Sequence, residues 1–185
     1  MTRRNLVLVC GTLLVLPLAL TARGEEKVKG KEGKAPSTPT NVIFETLKTL
    51  EGTWVAEGED GKPTDQVVKV VKVTAGGSAI HEVIFPGQPM EMISVYTVEG
   101  PDVVMTHYCV LGNQPRLKAD PKSPAGQIRF EFDGGANLDP KKDKHMHSAA
   151  LTLLDDSHIE MSGSAWDGGA PCKEQCCVTK LVRKK

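Results

Sequence analysis

Aromatic side chains are scarce in this chain: two Trp, two Tyr and four Phe amount to 4% of 185 residues. A core must therefore be built from Val, Ile, Leu and Met. Net charge is also missing, since 23 basic and 23 acidic residues cancel. No basic patch of the kind that neutralises phosphates is present, which excludes nucleic acid as an expected partner. After Leu20 no apolar run approaches the roughly 20 residues that a membrane helix needs. The chain lacks a nucleophile elbow, a Gly-rich phosphate loop ahead of a helix and a Cys-x-x-Cys-His haem-attachment motif. Covalent catalysis and covalently held haem are thus without their usual sequence support, and a non-enzymatic protein is expected.

What is present begins with a targeting pattern. Arg3 and Arg4 form a positive start, Leu6 to Leu20 is almost uninterruptedly apolar, and Ala22 and Gly24 offer a small-x-small cleavage point. Residues 1–24 therefore read as a signal peptide, and the chain as exported to the periplasm or beyond, with no stable membrane span after cleavage. Cys10 follows Val9 rather than a small residue, so lipid attachment there is not expected. Because 1–24 contain three Arg and no acid, the remainder carries 20 bases against 23 acids. Export implies an oxidising compartment and at least one disulfide. Cys109, Cys172, Cys176 and Cys177 allow three complete pairings. The expectation is a bridge from Cys172 to Cys176 or Cys177, or from one of those two to Cys109.

Residues 25–40 are charged, Pro-bearing and poor in large apolar groups, so they read as a flexible linker. The folded domain is expected over 41–185. It opens with Val42, Phe44, Leu47 and Leu50 at roughly helical intervals. After Gly52 every segment reads as a strand: 53–58, 66–74, 78–85, 91–99, 102–110, 114–120, 127–133, 146–154, 157–166 and 176–183. Turn formers such as Ala75-Gly76-Gly77, Pro86-Gly87-Gln88-Pro89 and Glu99-Gly100-Pro101 separate them. About ten strands with tight connections indicate an antiparallel up-and-down barrel or a sandwich. If the chain closes, Trp54 in the first strand meets Arg183 at the end of the last, guanidinium over indole.

That Gly52-Thr53-Trp54 opening, with the distant terminal Arg183, resembles the hallmark of the calycin (lipocalin and fatty-acid-binding) superfamily. The resemblance implies a closed barrel that carries small molecules or, in some relatives, haem. The segments Thr106-His107-Tyr108-Cys109 and Gly112-Asn113-Gln114-Pro115-Arg116 also resemble a family of uncharacterised exported bacterial proteins. That second likeness implies the barrel and adds no chemistry.

Strand alternation places Ile80, Glu82 and Ile84 on one face, and Val103, Met105, His107 and Cys109 on one face of another strand. Both faces of these strands are partly apolar, so the inward one is not fixed by pattern. A polar pocket is expected where His107 meets Glu82 or Glu91, with Tyr96, Asn113 and Gln114 nearby and Arg116 as a fork for an anionic group. The competing reading is a buried network that fixes strand register. A second candidate is metal or non-covalent haem at His145/His147, aimed alike by their i, i+2 spacing, or at His107 with Cys109. A third is a structural module with a packed interior and partner-binding loops. The cofactor is left unknown.

Overall fold

The computed structural model describes residues 41–173 and 178–185. One short helix, α1 (Val42–Lys48), precedes the strands. The first six are β1 (Gly52–Glu57), β2 (Pro63–Thr74), β3 (Ala79–Ile84), β4 (Met92–Glu99), β5 (Asp102–Tyr108) and β6 (Gln114–Ala119). They continue as β7 (Gln127–Ala136), β8 (His145–Leu153), β9 (His158–Asp167), β10 (Ala170–Pro171) and β11 (Thr179–Arg183). Each of β1 to β9 pairs antiparallel with its successor. The last strand, β11, lies between β9 and β1 and closes the ring. Ten strands thus form a closed antiparallel barrel, and the two-residue β10 is a short annex to β9. Among the described residues no helix is long and apolar enough to cross a membrane.

Closure follows the expected seam. Trp54 and Arg183 are direct cross-strand partners, and the guanidinium carbon stands 4.3 Å from the indole centroid. Arg183 also donates through Nη2 to the Thr49 carbonyl (2.8 Å), through Nη1 to that of Glu51 (2.6 Å) and through Nε to that of Asp156 (2.9 Å). One side chain therefore satisfies carbonyls at the end of α1 and in the β8–β9 turn, groups that would otherwise need water. The indole Nε1 donates to the Leu50 carbonyl at 2.9 Å, which gives the buried ring its polar partner.

Helix α1 starts where Asn41 accepts from the backbone amides of Ile43 (3.0 Å) and Phe44 (3.3 Å). Its buried side chains, Phe44 and Leu47, join Leu50 in stoppering the Trp54 end of the barrel. Of the register shifts that disturb the regular alternation, two bear on the interior. In β2, Lys69 opposes Trp54 while Val67 opposes Val55, so Val68 is an extra residue. In β8, Met146 opposes Ala165 and Ser148 opposes Ser164, which leaves His147 as the extra residue. Such bulges turn neighbouring side chains toward the same side.

The disulfide expectation involves Cys176 and Cys177, which lie outside the described residues. Cys109 and Cys172 are not joined to each other.

Candidate functional site

Space inside the barrel is set by the size of the side chains on facing strands. On β8 and β9 the middle of the wall holds the small residues Ala149, Ala150, Ser162 and Gly163, flanked by Met146, Leu151 and Met161. Gly163 is required where it sits, because a Cβ there would come within 2.8 Å of the Ser148 carbonyl oxygen. Opposite, β2 to β5 contribute Val68, Val71, Ile80, Ile84, Met92, Tyr96 and Met105. Between these walls lies a predominantly apolar cavity of about 240 Å³. Leu47 and Leu50 floor it, and Met146 and Met161 add two more thioethers, so four of the six methionines face it.

A transverse polar row crosses one wall. Glu82 on β3 lies opposite Ser94 on β4, and Ser94 lies opposite His107 on β5. The Ser94 hydroxyl and His107 Nδ1 are 3.0 Å apart. Lys69 Nζ donates to Glu82 Oε2 at 2.8 Å, and the Tyr96 hydroxyl donates to Glu82 Oε1 at 3.2 Å. Lys69 and Glu82 are only 2% and 4% exposed, so the pair is an interior one. Lys69, Glu82, Ser94 and Tyr96 all line the cavity. His107, fully buried, stands behind Ser94.

The surroundings fix two protonation states. Burial, and after it the Glu82 carboxylate, holds the Tyr96 phenol well above its ordinary value, so it stays a hydrogen-bond donor. Burial pushes His107 below its ordinary value, opposed in part by the attraction of Glu82, and the imidazole is neutral at neutral pH.

Of the residues expected at a pocket, the structure gathers Glu82, Tyr96 and His107. It carries the other four elsewhere. Arg116 is the partner of Thr106, on the face opposite His107. There its guanidinium forks onto Glu99 (2.9–3.1 Å) and reaches Asp133 (3.1 Å) on the exterior. Glu91 is exposed and caps the β3–β4 turn through the Gly87 amide. Gln114 bonds to the Gly112 carbonyl and to Asn137 in exposed loops. Asn113 is buried under the segment before β8, donating to the Lys144 carbonyl at 2.8 Å, with its Oδ1 unpartnered.

Lys69 and Ser94 are participants absent from the candidates read from sequence, and Lys69 is the more instructive. It sits in a valine-rich strand in which Lys72 is equally placed to be the interior lysine. Only the bulge at Val68 turns Lys69 inward alongside its neighbour. A usable signal lies in the charges themselves, two Lys in one apolar strand and a Glu in the next.

His145 and His147 do come together, with Nε2 and Nδ1 3.2 Å apart. The other nitrogen of His145, Nδ1, is 2.8 Å from the Asp143 carbonyl oxygen, so both of its ring nitrogens are engaged within the protein. His147 is stacked between Trp166 (centroids 3.8 Å) and Phe132 (5.0 Å). Burial, and then the neighbouring His145, lowers its pKa. Among the described residues no third His, Cys, Asp or Glu completes a metal-binding group at this pair or at His107. Cys109 instead directs its thiol to the Met92 sulfur at 4.0 Å. At His145 both imidazole nitrogens are thus taken by partners within the fold, which leaves this residue without a lone pair for a metal.

No protein-family model matches this chain, and no curated protein matches it. The closed ten-strand barrel is compatible with a calycin-like fold.

Proposed function

We propose that this chain is an exported, non-enzymatic barrel of calycin type that holds a small amphipathic molecule in its interior. The observation that carries the reading is the cavity itself, about 240 Å³ of mostly apolar space with one polar wall. A packed structural module would have filled that space. An apolar cavity of roughly 150 Å³ admits benzene, so this one suits a ligand of about ten non-hydrogen atoms. Apolar atoms of the ligand would lie against Val, Ile and Met, while Lys69, Ser94 and Tyr96 orient its polar end. The targeting pattern of residues 1–24 supports export, and the Trp54–Arg183 seam supports the calycin assignment.

The test is a thermal-shift series on the full chain, using short-chain esters, ketones and alcohols of about this size. A ligand present at a hundred times its dissociation constant adds about 2.7 kcal/mol to the native state. A shift of several degrees is therefore expected for the best-fitting member. A flat response across the series, with native mass spectrometry finding nothing retained, would remove the reading.

A further inference from the structure

Resting on that cavity reading, we infer that the bound molecule is uncharged and presents a hydrogen-bond acceptor, an ester or a ketone rather than a carboxylate. The argument is one of charge balance inside the barrel. Lys69 and Glu82 form an ion pair at 2.8 Å, and the pair sums to zero wherever its proton sits. Tyr96 faces the same carboxylate as an O–H donor, and His107, behind Ser94, is the remaining titratable group of the row. The four come from β2, β3, β4 and β5, the strands that make this wall.

An anion entering the cavity would add an uncompensated negative charge beside Glu82 in a poorly solvated interior, at a large cost. Arg116, the cation that could have balanced it, is spent on Glu99 and Asp133 outside the barrel. A neutral acceptor meets no such cost. An ammonium carries three donors; Glu82 takes one from Lys69, the single partner that its Nζ has among the described residues. The others can serve a carbonyl oxygen at the polar wall.

The experiment compares two probes of equal size, methyl heptanoate and octanoate, by calorimetric titration of the full chain at pH 8. The ester is expected to bind at least tenfold more tightly. Octanoate should gain on it as the pH falls toward the carboxylic acid range, where it enters protonated. In Glu82→Gln, which leaves Lys69 uncompensated, the preference should reverse. Should that variant fail to fold, Lys69→Met/Glu82→Gln restores a neutral wall and must again prefer the ester. Octanoate binding as tightly as the ester in the unmodified protein, or an unchanged preference in folded Glu82→Gln, overturns the charge argument while leaving the cavity reading in place. Silence from both probes, with no thermal shift from any neutral homologue, removes the cavity reading and this inference together.

Discussion

The two ends of the barrel solve opposite problems with the same strands. At the Trp54 end, α1 lowers Phe44, Leu47 and Leu50 onto the indole, and Arg183 fastens helix, first strand and last strand through three carbonyls. Phe44, Leu47, Leu50 and Trp54 are all buried there. Further along, β8 and β9 narrow at their middle to Ala149, Ala150, Ser162 and Gly163, and the facing strands place a charged pair beside the resulting space. The first region is arranged for burial, which stabilises in proportion to area. The second gives up contacts that a filled core would have made. Stability should therefore reside at one end and selectivity at the other.

Trp54→Ala would break that division most severely. Removing a fully buried aromatic costs about 3–5 kcal/mol, and here the cation–π contact and the Nε1 bond are lost as well. The urea midpoint should fall accordingly, near the upper end of that range. A loss below about 1 kcal/mol would mean that the seam is incidental to closure.

Ala149→Leu tests the other end. The added side chain enters the cavity, so stability should rise by about 1 kcal/mol, as cavity filling commonly gives, while binding of any interior ligand drops at least tenfold. Retained affinity in a stable Ala149→Leu protein would place the ligand outside this space.

Acid should weaken the fold through His107 and, less strongly, His147. Both have native pKa values below the ordinary 6.5. Between that value and the native one, the unfolded chain takes up a proton that the folded chain refuses. Stability is therefore fully present above pH 6.5 and is lost as the pH falls toward the native values, by at most about 1.4 kcal/mol per pH unit for each histidine. Denaturant midpoints between pH 7 and 5.5 should show this slope, and His107→Gln should flatten it. A midpoint that stays constant across the range would contradict the burial argument.

Arg116→Ala should matter least. Its contacts are exterior ion pairs worth about 0–1 kcal/mol, and binding in the cavity should not change. A tenfold loss of affinity would return Arg116 to the ligand.

Much of this architecture could be read from the residues alone, because each feature had a local cause. The turn formers delimited ten strands to within a few residues, and the Trp54–Arg183 partnership followed from closure between the chain's first and last strands. The interior was less accessible. In β2 to β5 both faces carry Val, Ile or Met, so alternation did not say whether Glu82 or His81 faced inward. Lys69 escaped because a bulge, invisible in a run of valines, reverses the parity of everything before it. Arg116 is expected at the pocket as a fork for an anionic group, yet it faces outward. The cross-strand register that pairs it with outward-facing Thr106 is a relation between strands, which no single strand's pattern contains.

The four thioethers around the cavity carry one more consequence. Methionine is unbranched and turns about three bonds, so a lining of Met92, Met105, Met146 and Met161 conforms to its guest instead of imposing a contour. Discrimination then falls to the polarity of the guest's head, and homologues differing by a methylene or a bend should be accepted alike.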